Sequence, residues 1–175
     1  AITGRTLYRQ VATETAGYLF KEMSLASGAF VSAQDADSDG SEGAYYALRP
    51  EEVLAVLGED QGTAFNACYD ITEEGNFHGF SIPNLLHSPL PGDRFAACIP
   101  ALYAYRLARA SLHRDDKVLA GWNGLLMGAL SWLYRVSGQT IYRDAARGIW
   151  TYLSRVHGSQ GTLSATSRDG LARGI

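Results

Sequence analysis

The chain has 175 residues, 46% of them hydrophobic, and its 15 basic against 18 acidic side chains leave a net charge of −3. That length suits one domain with its own core, and the absence of any block of Lys and Arg argues against nucleic acid as a partner. Two cysteines, Cys68 and Cys98, lack the C-x-x-C spacing that a zinc ribbon or a redox pair needs, so each reads as a small buried hydrophobe.

No apolar run approaches the ~18 to 20 residues that span a bilayer, and the N-terminus lacks the pattern of a secretion signal. A soluble, cytoplasmic chain with no membrane partner is expected. The chain begins without a methionine and ends inside a stretch that reads as ordered, which is expected of a piece of a longer protein.

The first predicted element is an amphipathic helix from Arg5 to Met23, with Leu7, Val11, Tyr18 and Leu19 at helical spacing and a stop at Ser27-Gly28. Two short apolar segments, Ala29 to Ala33 and Ala44 to Leu48, read as strands of a hairpin-like excursion around an acidic run. Pro50 with Glu51 and Glu52 starts a short helix, because proline lacks only an N–H that would be orphaned there and carboxylates suit the positive dipole end; Gly58 stops it. A second helical piece runs from Gln61 to Tyr69. Pro83, Pro89, Pro91 and Pro100 leave the next region mostly irregular.

Beyond Pro100 the helical pattern clears. Leu102, Tyr105, Leu107 and Ala110 share one helix, Trp122, Leu125, Leu126, Ala129, Leu130 and Leu133 a second, and Tyr142, Ala145, Ile149, Tyr152, Leu153 and Val156 a third. Gly138 separates the last two, which predicts an antiparallel αα-hairpin, and the first helix with the short ones is expected to supply another. The fold class is therefore mainly α, built of helical hairpins.

Three polar stretches are candidates for chemistry. "SAQDADSDGSEGAYY", Ser32 to Tyr46, places Asp35, Asp37, Asp39 and Gly40 at the first positions of an EF-hand loop, yet position 12 is Tyr46, which cannot clamp calcium. No metal is assigned. A polar turn, with Asp and Ser satisfying their own backbone, remains the plain reading, although it leaves Tyr45 and Tyr46 unexplained.

"LHRDDKVLAGWNG", Leu112 to Gly124, carries His113, Asp115, Asp116 and Lys117 into a helix bearing Trp122 and Asn123. Adjacent carboxylates, an indole and an amide suit a polyol, because carboxylates accept from hydroxyls and an indole packs on the C–H face of a sugar. The charges also suit a solvated loop or a helix cap, and Trp122 also fits the apolar stripe of its helix. In "EEGNFHG", Glu73 to Gly79, two glycines bracket Asn76, Phe77 and His78, a weaker signal that a turn explains.

Taken in order, "SGAFVSAQDADSDGSEGAYYALRPEEVLAVLGE", "YDITEEGNFHG" and "RLARASLHRDDKVLAGWNGLLMGAL" resemble the spermatogenesis-associated thioredoxin-like proteins and their bacterial thioredoxin domain-containing relatives, a family of unassigned function. The likeness runs over nearly the whole chain. It implies an N-terminal thioredoxin-like domain, absent here, followed by an (α/α) toroid similar to N-acylglucosamine 2-epimerases and six-hairpin glycosidases. This chain then corresponds to about half a toroid, a single domain over 1–175. Leu112 departs from the family pattern, in which a proline commonly precedes the acidic pair.

The resemblance implies a central pocket ringed by the Asp35 to Glu42 loop, the Asn76 loop and the Asp115 to Asn123 segment. Catalytic candidates are Asp37, Glu42, Asp116 and His113, with His78 a further acid–base candidate; ligand-binding candidates are Asp35, Tyr45, Asn76, Asp115, Trp122 and Asn123. A glycosidase needs two carboxyl groups at defined separation and an epimerase a base and an acid on opposite faces of a carbon; no cofactor is expected for either. The alternative is a non-catalytic ligand-binding or interaction domain. Unmatched helix faces of a partial toroid predict a homodimer.

Overall fold

The computed structural model describes residues 4–38, 40–109, 111–159 and 162–174; Asp39 of the acidic run and Ala110 of the helix after Pro100 lie outside them. The helices are α1 (Thr6–Tyr18), α2 (Pro50–Leu57), α3 (Glu59–Cys68), α4 (Ile99–Arg109), α5 (Ala120–Ser137) and α6 (Thr140–Tyr152). Between them lie β1 (Ala33–Gln34), β2 (Asp37–Ser38), β3 (Ser41–Glu42), β4 (Arg114–Asp115) and β5 (Val118–Leu119). After α6 come β6 (Gly158–Ser159), β7 (Thr162–Leu163), β8 (Thr166–Arg168) and β9 (Leu171–Arg173). The chain is mainly α, with strands of two or three residues.

The chain divides into two compact units, one of Asp35–His113 and one of the residues before and after it. In the outer unit α5 and α6 form the expected hairpin. Gly138, with φ 73, caps α5 through an N–H to the Tyr134 carbonyl at 2.8 Å, and α6 follows after Gln139. Tyr142, Ala146, Ile149 and Tyr152 line one face of α6 and are buried, joined in the core by Phe30, Val31, Val118 and Leu130. Burying Ile149 completely stabilises by about 1.5–3 kcal/mol relative to exposure.

The first helix continues past α1 through a π-helical turn, Leu19–Met23, and another such turn, Leu153–His157, follows α6. Leu19 and Ala16 of α1 join the cluster that holds Leu126, Leu130 and Leu133 of α5; within the inner unit α2 packs on α3 and α4.

In the inner unit the backbone N–H of Arg49 donates to Glu52 Oε2 at 2.7 Å, which with Pro50 opens α2 as the sequence predicts. Val53, Phe65, Phe95, Cys98 and Leu102 form its core. Cys98 is buried as expected, and Cys68 is half-buried.

The predicted strand pair is the main difference. Ala33 of the first segment pairs with Asp115 of β4, and the second segment is a turn in which Tyr46 N–H and Ala47 N–H both donate to the Gly43 carbonyl. Arg109 is the physical reason. Its Nη2 donates to the carbonyls of Ala44 at 2.6 Å, Tyr45 at 3.3 Å and Ala47 at 2.7 Å, which a strand would have used in a ladder. Between the two segments the acidic run closes on itself as β2 against β3.

The C-terminal strands are also absent from the sequence reading. β8 joins β5 and β9 in a three-stranded antiparallel sheet, and Asp169 (φ 51) with Gly170 (φ 73) makes a two-residue turn that matches strand twist.

Candidate functional site

Candidate residues fall in both units. In the inner unit β2 and β3 set Asp37 directly opposite Glu42, both exposed. Like charges facing each other across so short a hairpin oppose its closure. The exposed Asp35 accepts the Asp37 N–H at its Oδ1 at 3.2 Å, the self-satisfying turn geometry, and its own N–H donates to the His113 carbonyl at 2.8 Å. The ring of His113 is exposed. Among the described residues no three His, Cys, Asp or Glu side chains gather closely enough to hold a metal ion.

Tyr45 is buried to 3% exposure and stands edge-on to Tyr46 with centroids 4.9 Å apart. The Arg109 that collects the carbonyls of this turn also meets Glu52 Oε1 at 2.9 Å, where the Tyr105 hydroxyl donates as well, at 2.6 Å. Burial pushes the Glu52 carboxyl upward, but hydrogen bonds from Tyr105, the Arg49 N–H and Arg109 outweigh it and hold the group below the usual glutamate range. Glu52 in turn raises the Tyr105 phenol.

The Asn76 loop lies against the acidic loop, because Gly43 lacks a Cβ: one built there would meet Phe77 Cε1 at 2.6 Å. Asn76 itself is turned inward on its loop. Its Nδ2 donates to the Ile82 carbonyl at 3.0 Å and its Oδ1 accepts the Ile82 N–H at 2.8 Å. His78 is exposed, with positive φ and its ring edge-on to Phe77.

In the outer unit the acidic pair sits on and just after β4. Asp115 Oδ2 meets Lys117 Nζ at 3.0 Å, its Oδ1 accepts from Arg168 Nη2 at 3.1 Å, and Arg168 Nε reaches Asp116 Oδ1 at 2.6 Å. One guanidinium thus clamps both carboxylates. The hydrogen bond from Lys117 holds the Asp115 carboxyl below the usual carboxylate range, with Arg168 adding to it. Ionised in this way, Asp115 accepts hydrogen bonds and does not serve as a proton donor near neutral pH.

Trp122, in the first turn of α5, is 59% exposed. Asn123, its neighbour, is 3% exposed and tied to the main chain: Oδ1 accepts the Phe30 N–H at 2.9 Å, and Nδ2 donates to the Phe30 carbonyl at 2.9 Å and to the Leu119 carbonyl at 3.1 Å. Both candidate asparagines therefore hold backbone, Asn76 at Ile82 and Asn123 at Phe30 and Leu119.

The sequence reading missed Arg109 and Arg168, which lie outside the three polar stretches; the charge of each has no local signature of its target. It also missed a buried chain of polar groups. His157 Nδ1 lies 2.8 Å from the Ser164 carbonyl and its Nε2 2.8 Å from Ser167 Oγ, which in turn meets the Tyr152 hydroxyl at 2.8 Å. A carbonyl only accepts, so Nδ1 carries the proton, and in a neutral ring Nε2 then accepts from Ser167. This Ser–His contact has the form of an activated nucleophile, but His157 and Ser167 are 0% and 1% exposed, so it braces the π-helical turn against β8.

Among the described residues no helix is long and apolar enough to cross a membrane. No family model matches the chain. It is 29% identical over 180 residues to spermatogenesis-associated protein 20 of Homo sapiens, which covers 82% of this chain and 22% of that protein. The Mus musculus protein of the same name is 29% identical over 167 residues, and an uncharacterised protein of Caenorhabditis elegans is 26% identical over 178. The chain spans about a fifth of the length of the curated relatives it matches.

Proposed function

We propose that this chain is a portion of an (α/α) toroid from a carbohydrate-active protein, and that it contributes a polyol-binding surface. The observation that carries the reading is the exposed indole of Trp122, which follows by a few residues Asp115 and Asp116, both clamped by Arg168. An exposed indole is a platform for the C–H face of a sugar, and fixed carboxylates accept from its hydroxyl groups. With Asp115 held ionised, the pair suits hydroxyl binding or base chemistry; an epimerase-like or glycosidase-like reaction takes its general acid from another residue of the longer protein.

The test is a thermal-shift panel of the chain with monosaccharides and disaccharides, beside Trp122→Ala and Asp116→Asn. A sugar-dependent rise in melting temperature that both variants lose supports the reading. Two folded variants that respond to sugar as the parent does would sink it.

A second reading, an interaction module that pairs with a copy of itself, is favoured by one observation. Trp122, Leu125, Ala129, Trp132 and Val136 are all exposed and recur at alternating spacings of three and four along α5. That is the seam spacing of a helix meeting another helix.

A further inference from the structure

Two cavities, of about 650 and 290 Å³, lie between α5 and α6, and Met127 and Trp150 line both. On α5 the lining recurs at spacings of three and four from Gly121 through Gly124 and Met127 to Ser131, and on the antiparallel α6 from Arg143 through Arg147 and Trp150 to Leu153 just beyond it. One stripe of each helix thus lines a single furrow. Its floor is bare: a Cβ built on Gly121, Gly124 or Gly128 would meet no neighbouring group within 4 Å, so close packing of the two helices requires none of these glycines. Glycine inside a helix is destabilising relative to alanine, and here it keeps the furrow open. The walls are apolar, formed by Met127, Trp150, Leu153 and Leu163. Both charged residues of the lining, Arg143 and Arg147, stand toward one end, and no carboxylate lines the furrow. Asp144 holds Arg143, meeting its Nη2 at 2.8 Å, whereas Arg147 has no ion pair or hydrogen bond among the described residues.

The lining decides the class of ligand. A sugar would bring hydroxyls to walls that return few hydrogen bonds, since even Ser131 Oγ is spent on the Met127 carbonyl at 2.8 Å. An inorganic anion would satisfy Arg147 and leave the apolar length uncovered. An unbranched hydrocarbon with one anionic head matches both, because a floor without side chains admits a thin chain. From Arg147 to Leu153 the helix rises about 9 Å, roughly the length of an eight-carbon chain. We propose that this furrow binds a medium-chain fatty carboxylate, its head on Arg147 and its chain over Gly124 between Met127 and Trp150. The site is independent of the polyol surface proposed above, since Asp115, Asp116 and Trp122 line neither cavity.

The probe is octanoate, with octanamide as its uncharged counterpart, titrated into the ¹⁵N-labelled chain and followed at the amides of Gly121, Gly124 and Gly128. Saturable shifts are expected for octanoate, with octanamide binding about fivefold more weakly for want of one exposed charge-assisted contact. Hexanoate, two half-covered methylenes shorter, should also bind about fivefold more weakly than octanoate. Arg147→Gln is expected to erase the difference between acid and amide. Gly124→Leu places a side chain in open space within the furrow and is expected to abolish binding while the chain stays folded. Equal affinities for octanoate and octanamide, no saturable shift in the folded parent chain, or an unchanged Kd in folded Gly124→Leu would each overturn the proposal. Should Gly124→Leu fail to fold, the acid–amide comparison in the parent and in Arg147→Gln, a change at an exposed residue, still decides it.

Discussion

Asn123 grips the peptide of Phe30 at both poles, accepting its N–H and donating to its carbonyl, each at 2.9 Å, across 93 residues of sequence. The contact ties the start of α5 to the segment that precedes β1. Because the amide is 3% exposed, water has little access to either group.

Asn123→Ala is therefore expected to strand two buried backbone groups. Each stranded group costs about 1–3 kcal/mol, so a loss of roughly 2–6 kcal/mol is expected in urea unfolding. Asn123→Asp keeps the acceptor and replaces the donor by an oxygen facing the Phe30 and Leu119 carbonyls. It should be no better than alanine near neutral pH. A loss below about 0.5 kcal/mol for both variants would place them among ordinary surface substitutions and remove the bracing role.

Glu52 gives a pH dependence of known sign. Its folded-state carboxyl lies below the ordinary value, so the unfolded chain takes up the proton more readily, and the stability it supplies is complete above that value. The stability is lost as pH falls below the ordinary glutamate value of about 4.3 and through the depressed folded one. Glu52→Gln should therefore unfold at lower urea than the parent at pH 7, with the gap between the two closing as the pH is lowered below about 4. A gap that stays constant from pH 7 to pH 3 would contradict the linkage.

Helices were legible from sequence where one apolar face repeats over several turns. Tyr142, Ile149 and Tyr152 mark α6 plainly, and the stops at Gly58 and Gly138 fall where the structure ends α2 and α5. The short strands were not legible, since two residues carry no period, and their pairing depends on partners as distant as Ala33 and Asp115. The same limit governs the candidate site. An asparagine that binds a ligand and one that binds a backbone residue look alike in sequence, and both Asn76 and Asn123 turned to backbone. Trp122 is the opposite case: α5 is apolar on two adjacent faces, and only the face of Leu126, Leu130 and Leu133 is taken up by the core.

Gly75 is expected to be the least replaceable glycine of the Asn76 loop. It has φ 67, and a Cβ there would lie 2.2 Å from the Phe80 carbonyl oxygen, an atom held by its hydrogen bond to the Phe77 N–H. Gly79 has a similar φ of 76 but open space around its Cβ position. Gly79→Ala should cost only the left-handed backbone penalty of about 1–2 kcal/mol. Gly75→Ala should add a steric cost of about 1–3 kcal/mol. Equal melting temperatures for the two variants would show that the loop yields at Gly75 without loss.

The exposed seam of α5 carries the last prediction. Trp132 is 64% exposed, Leu125 77% and Val136 51%, and with Trp122 they give one copy about 500 Å² of apolar surface on a helix whose only charge is Arg135. Two copies meeting along this seam would cover about 1,000 Å², the lower bound for a specific interface. A weak, concentration-dependent dimer is therefore expected. Light scattering should report up to twice the chain mass as concentration rises, and Leu125→Lys with Trp132→Lys should restore the monomer. Because both side chains already face solvent, the double variant should melt close to the parent. A parent chain that stays monomeric over a wide concentration range would refute the self-pairing reading, leaving the polyol surface at Trp122 to stand on its own test.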